Sequence, residues 1–276
     1  MKSHRIAVAV CACALVALTA CSVGPAYKRP DIPLPAQWRD PAAEPGASVW
    51  PNADWWHEFG SDKLDQLIVD AMRSNDDLAV AIARVQEADA QARIAGAPLL
   101  PSLDVGATAT RERASVSGFG VRTFNNFSPE LTASYELDFW GKNRAARASA
   151  RAAAQASRFD QETVALTVVS SVATSYFQAL ELRDRIQVAE ENLANGQKIL
   201  RGLKLQMSAG IATGLDVAQQ ETTVALLDAA IPPLLQQFRQ TVNALAVLVG
   251  KTPESVDVDM GSLTALARPV VVEGLP

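Results

Sequence analysis

Residues 146–208 read ARASARAAAQASRFDQETVALTVVSSVATSYFQALELRDRIQVAEENLANGQKILRGLKLQMS. The stretch has no proline and is rich in Ala, Glu, Gln, Arg and Leu, the composition of one very long helix. At 1.5 Å per residue it predicts a rod about 95 Å long, more than a compact domain of this size holds. Apolar positions recur every seven residues at Ala165, Val172, Ala179, Ile186, Leu193, Leu200 and Met207. A second row follows at Val168, Ser175, Leu182, Ala189, Gly196 and Leu203. A period of seven rather than 3.6 implies supercoiling against neighbouring helices. Arg183, Asp184, Arg185, Glu190, Lys198 and Arg201 lie between the rows and read as a wet face.

Upstream of the rod the period falls from seven to two. Leu103, Val105, Ala107 and Ala109 alternate with Asp104, Gly106, Thr108 and Thr110. After a polar loop from Ala114 to Asn126, alternation resumes with Leu131, Ala133, Tyr135, Leu137 and Phe139 against Thr132, Ser134, Glu136 and Asp138. This predicts a β-hairpin over 101–140 with strands of about ten residues, the length of a tilted strand crossing a bilayer. Asp104, Thr108, Glu136 and Asp138 are the expected lumen-facing positions. The competing reading is an amphipathic hairpin on a soluble core. Two strands alone are marginal, so the hairpin needs neighbours.

Shorter helices flank these elements. One is expected over 61–73, using Leu64, Leu67, Ile68, Ala71 and Met72; Ser74 and Asp77 then stand at capping-box spacing before a second helix over 76–95. Gly141 to Arg144 turns the chain into the rod. Gly210 to Gly214 forms a tight tip, where Thr213 and Asp216 repeat the capping-box spacing and start a helix over 215–249. Pro232 and Pro233 should kink or break it. The helices before the hairpin and after the tip, about 30 and 52 Å long, together nearly match the rod, so they can stack beside it. Residues 251–276 read as an irregular tail with one strand-like run, Val270 to Val272.

The N-terminus carries an address. Lys2 and Arg5 precede an uncharged run from Ile6 to Ala20, a secretory signal over 1–20 too short to span a bilayer comfortably. Leu18-Thr19-Ala20-Cys21 looks like a bacterial lipobox, which makes Cys21 the expected lipidation site and Ser22 compatible with export to the outer membrane. Cys11 and Cys13 leave with the signal, so no disulfide framework remains. Residues 21–60 hold seven prolines and four of the five tryptophans, and are expected to form an extended, lipid-anchored strap.

Chemistry is sparse. The histidines are His4, in the signal, and His57, beside two tryptophans and expected to be a half-buried packing residue. No Walker loop, HExxH or nucleophile elbow occurs. Catalytic and metal sites are expected to be none, and no cofactor is expected beyond the lipid on Cys21. The net charge of −5 over 276 residues gives no support for nucleic-acid binding.

These residues resemble the outer-membrane factors of tripartite efflux systems, the TolC-like channels, in their lipoprotein (NodT-type) branch. The resemblance rests on Cys21 with Val23-Gly24-Pro25 and Tyr27, on Trp56 and Phe59, and on Asn75, Asp77, Leu78, Ala81, Arg84 and Val85. It is most specific at the strand-to-helix turn: Tyr135, Leu137, Asp138, Trp140, Gly141 and Arg144. Gly210, Thr213, Leu215, Asp216 and Val217 look like the family's periplasmic tip, and Asn243, Leu245, Leu248 and Gly250 like its closing helix.

The resemblance implies a mainly α fold with a β-hairpin: long coiled-coil helices of an α-barrel plus two transmembrane β-barrel strands, half of a TolC-like protomer. It implies a passive export conduit for small molecules or drugs. The expected partners are its own trimer mates, outer-membrane lipid, a periplasmic adaptor at Gly210, Thr213, Gly214, Leu215 and Asp216, and an inner-membrane pump; no nucleic acid is expected. The chain matches only the first of the family's two repeats. Six copies, a second polypeptide or an inactive truncation are the expected ways to reconcile this, truncation being favoured because a channel without its closing rings would leak. The alternative function is a non-conducting structural or adaptor-like periplasmic lipoprotein.

Overall fold

The computed structural model describes residues 27–31, 33, 54–116, 120–256 and 261–269. The signal, Cys21, most of the strap and Val270 to Val272 lie outside the described residues. The elements are α1 (Asp62–Ser74), α2 (Asp76–Gly96), β1 (Ser102–Val116), β2 (Gly120–Ser134), α3 (Lys142–Ser208), α4 (Gly214–Ala229) and α5 (Ile231–Leu248), with short 3-10 turns at Trp55–Phe59, Ala97–Leu99, Pro253–Ser255 and Leu263–Ala265. Two compact units result, one built on 83–159 and the other on 54–82 with 160–269.

The second unit has the core. Leu64, Leu67, Ile68 and Ala71 recur at helical spacing along α1 and bury against Val168, Val169, Val172, Ala173, Tyr176 and Leu180 of α3 and Leu245, Ala246 and Val249 around the end of α5. Fully burying each large side chain contributes about 1.5–3 kcal/mol relative to leaving it exposed. Every member of the two heptad rows on α3 is buried or partly buried except Met207, which is 42% exposed. The helix is continuous over 67 residues.

Polar residues fix how the helices meet. Ser61 caps α1, its Oγ accepting from Leu64 N at 3.2 Å, and lies 2.7 Å from the Tyr176 hydroxyl. Between α1 and α2 the cap is Asn75 rather than the expected Ser74: its Oδ1 accepts from Leu78 N at 3.0 Å while its Nδ2 donates to Leu248 O at 2.9 Å. A carboxamide does both at once, which a serine hydroxyl one residue earlier, still inside α1, is not placed to do. Gly250 closes α5 at φ +64, with Gly250 N and Lys251 N donating to Val247 O and Ala246 O, a Schellman ending. A Cβ there would stand 2.3 Å from Ser74 O, so only glycine permits the approach. Lys251 Nζ adds a 2.6 Å bond to Asp70.

Four further expectations meet the structure, the first borne out in part and the other three corrected. The helix over 215–249 breaks, as its prolines predict, into two helices meeting at Ala230, with Pro232 and Pro233 in the first turn of α5, where a missing N–H costs nothing. Trp55–Phe59 is a 3-10 turn rather than extended strap: Trp55, Trp56 and Phe59 pack on the core, with Phe59 and Phe177 ring centroids 4.7 Å apart. His57 is exposed rather than half-buried, its Nδ1 2.9 Å from Asp65 Oδ1. On α3, Asp184 of the supposed wet face accepts from Leu263 N and Ser262 Oγ, each at 3.0 Å, and so ties the tail down.

Candidate membrane hairpin and helix tip

The hairpin is longer and differently placed than the alternation predicts. Both strands have 15 residues, roughly 50 Å at 3.4 Å each, and pair antiparallel from Ser102↔Ser134 to Val116↔Gly120. The expected polar loop is largely ladder. Arg111, Glu112, Arg113 and Asn125 put polar groups on both faces, so periodicity is silent there, yet backbone pairing needs no apolar side chain.

The register sorts the faces. Leu103↔Ala133, Val105↔Leu131, Ala107↔Pro129 and Ala109↔Phe127 form four alternate rungs of one apolar face. Asp104↔Thr132, Gly106↔Glu130, Thr108↔Ser128 and Thr110↔Asn126 form the opposite, polar one. Asp104 and Thr108 thus share a face as expected. The apolar rungs run from Leu103 to Ala109, about 20 Å along the strand, and so cover most of the roughly 25 Å band of a bilayer-crossing barrel. Val105 is 80% and Phe127 73% exposed, so large apolar side chains stand without cover.

Glu136 and Asp138 do not lie on that polar face, because β2 ends at Ser134. β1 has no residue to continue the pairing: Pro101, without an N–H, precedes Ser102. Tyr135 to Asp138 is therefore irregular, and Phe139 and Trp140 form a turn with their rings edge-on, centroids 6.0 Å apart. Tyr135 and Trp140 are exposed, placing aromatic rings at the root of the hairpin.

Asp138 instead starts α3. Its Oδ1 accepts from Asn143 N at 3.2 Å and its Oδ2 from Arg144 N at 2.9 Å and Arg144 Nε at 3.3 Å, while Arg144 Nη2 donates to the Asp138 carbonyl at 3.0 Å. These bonds, the Arg144 backbone N–H foremost, hold the carboxyl below its ordinary value against some desolvation. Gly141, at φ +77, makes the preceding turn. Alternation places Glu136 and Asp138 on a strand because capping and lining residues have the same polarity; the Gly141 turn was the available signal.

The tip is a second, separate construction. Gly210 at φ +74 ends α3, with Gly210 N donating to Met207 O at 3.0 Å and Ile211 N to Gln206 O at 2.9 Å. The capping box then forms as the spacing predicts: Asp216 N donates to Thr213 Oγ1 at 3.3 Å and Thr213 N to Asp216 Oδ2 at 2.8 Å. The Thr213 hydroxyl and N–H hold the Asp216 carboxyl below its ordinary value. Gly214 opens α4 with no atom within 4 Å of where a Cβ would be, and Leu215 and Ile211 are exposed beside it. Behind the tip α4 lies close on α3: Gln220 Nε2 donates to Gly196 O at 3.1 Å, and Lys204 pairs with Glu221 at 2.7 Å. Among the described residues no three His, Cys, Asp or Glu side chains gather to hold a metal.

A barrel-type hairpin set between coiled-coil helices is the construction of an outer-membrane efflux protein, and the profile of that family, described as Outer membrane efflux protein, matches residues 67–251. The chain belongs to this family. It is 39% identical over 270 residues to the pyoverdine export outer membrane protein OpmQ of Pseudomonas putida, covering 95% of this chain and 57% of that one. It is 32% identical over 269 residues to the cation efflux system protein CusC of Escherichia coli, covering 96% and 57%. Among solved structures, the outer-membrane channel OprN superposes with a TM-score of 0.78 at 25% identity, over 92% of this chain and 57% of that one. The chain thus spans somewhat over half the length of the relatives it matches.

Proposed function

We propose that the chain forms part of an outer-membrane channel that exports small molecules passively, with energy supplied by an inner-membrane pump through a periplasmic adaptor. The observation that carries this is the one-sided register of the hairpin. Four apolar rungs back onto four polar ones over about 20 Å of strand, which suits lipid on one side and water on the other. Lipidation of Cys21 would anchor the mature chain to the same membrane. The exposed Ile211, Thr213, Leu215 and the small Gly210 and Gly214 offer the adaptor's helices a close approach. Two strands leave open edges that lipid cannot satisfy, so the hairpin functions only within a larger closed barrel, completed by trimer mates, further copies or a second half.

Single cysteines at Leu103, Asp104, Val105, Gly106, Ala107 and Thr108, in outer-membrane fractions treated with a water-soluble maleimide, test the reading. The even positions should label and the odd ones should not. Equal labelling of neighbouring positions, or recovery of the chain only in the soluble fraction, would refute it.

A further inference from the structure

The start of α3 is charged against its own dipole. Lys142, Arg144, Arg147, Arg151 and Arg158 occur before the first acidic residue, Asp160, although a helix N-terminus favours anions. Arg144 is engaged by Asp138, and Lys142 lies 3.7 Å from Glu136. The other three fall four and seven residues apart, on one side of the helix. There they line a cleft of about 910 Å³ together with Asp89 and Arg93 of α2.

Four guanidinium groups thus share this cleft with one carboxylate. Arg158 Nη2 takes that carboxylate, at 2.7 Å from Asp89 Oδ1. Arg93, Arg147 and Arg151 have no carboxylate partner among the described residues. Gly96 leaves the space that Arg147 uses: a Cβ there would stand 3.2 Å from Arg147 Nε. The side of the cleft nearest β1 is apolar, formed by Leu99 and Leu100, with Leu100 69% exposed two residues before the strand begins.

We propose that this cleft binds the phosphate of an anionic phospholipid, with Arg93, Arg147 and Arg151 as its donors and the acyl chain lying over Leu99 and Leu100 toward the hairpin. Guanidinium groups suit the charge because their planar forks meet phosphate oxygens in pairs. An apolar rim beside the cations distinguishes a lipid from a free anion, which needs no such surface. The assignment rests on the reading that the hairpin crosses the outer membrane, since its root then stands at the lipid headgroups. Cations clustered next to a membrane-crossing element attract anionic lipid in the same way.

Native mass spectrometry of the full chain in neutral detergent tests this with dioleoylphosphatidylglycerol, dioleoylphosphatidylcholine and inorganic phosphate. Phosphatidylglycerol should be retained at least about tenfold more than phosphatidylcholine and should survive millimolar phosphate. The Arg147→Gln/Arg151→Gln variant should fall to the phosphatidylcholine level, while Arg201→Gln, outside the cleft, should match the parent; circular dichroism checks that each variant keeps its helix content. Equal retention of both lipids, or full retention by the double variant, overturns the proposal. Displacement by millimolar phosphate assigns the cleft to free anions and overturns the lipid. A smaller oligomer with unchanged lipid retention assigns it to a carboxylate of a neighbouring chain, which also overturns it. The cysteine labelling described above reads the hairpin independently, so failure of the membrane reading and failure of the lipid site are told apart.

Discussion

The hairpin and the helical core use the same device, a one-sided apolar face, and finish it differently. In the core, Leu64, Ile68 and Ala71 of α1 meet Val172 and Leu180 of α3 and Leu245 near the end of α5, and all are nearly inaccessible to solvent. In the hairpin, Leu103, Val105, Phe127 and Leu131 make an equally consistent face that no described residue covers. The core packs within its own chain, down to Gly250, whose missing Cβ admits the Ser74 carbonyl. On the proposed function, the hairpin is half of a contact whose other half is lipid on one side and further strands at its edges. Stability and membrane insertion should therefore respond to different residues.

The largest effect should come from Gly250→Ala. The substitution forces a left-handed residue to carry a side chain and drives its Cβ into Ser74 O. Strain and overpacking together should cost about 3 kcal/mol or more. A lowered denaturation midpoint of the helical signal measures it. A loss below about 1 kcal/mol would mean that the Ser74–Gly250 approach opens easily and that the core is less closed than the hairpin comparison requires.

Val105→Arg sharpens the contrast from the other side. It places a cation on the apolar face and should cost about 2–4 kcal/mol of membrane insertion if Val105 lies near the bilayer midplane. Thr108→Arg, on the opposite face, should cost far less. The urea-resistant membrane fraction of each variant is the readout, and the helical denaturation midpoint should stay constant in both. Equal losses at 105 and 108 would remove the distinction between the faces.

How far the residues disclosed this division depends on what each pattern measures. The seven-residue rows of α3 were legible because burial repeats with the geometry, and Thr213 with Asp216 was legible because a capping box needs only local spacing. The ends of the strands were not. Period two is visible only where the two faces differ, so the ladder disappears among Arg111, Glu112 and Arg113 and falsely continues through Tyr135, Leu137 and Phe139. Long-range polar contacts were invisible for a different reason. Asn75 with Leu248 and Asp184 with Leu263 are far apart in sequence, and an exposed polar residue and a capping one have the same composition. Arg147, Arg151 and Arg158 drew no reading from the sequence, because their shared cleft exists only once α2 supplies its other wall.

The smallest effect distinguishes how the two regions end their helices. Asp138 starts α3 at the hairpin root and Asp216 starts α4 at the tip; both carboxyls are held below the ordinary value of 3.8 by hydrogen bonds made only in the folded chain. A carboxyl whose folded-state value is depressed binds its proton less readily than in the unfolded chain. Its stabilisation is therefore complete above the ordinary value and is lost as pH falls through the lower, folded-state one. At the tip Asp216 accepts from both the N–H and the hydroxyl of Thr213, so Asp216→Asn keeps the shape and removes the charge. Near about pH 6 the parent should denature at a higher midpoint than Asp216→Asn, and by about pH 2 the difference should close. Asp138→Asn should behave likewise in the helix content lost from the start of α3, with its charge-assisted bond to Arg144 also removed. A difference that persists unchanged to low pH would show that the caps act through shape alone. A difference confined to Asp138 would place the tip's stability in the Gly210 ending rather than in the capping box.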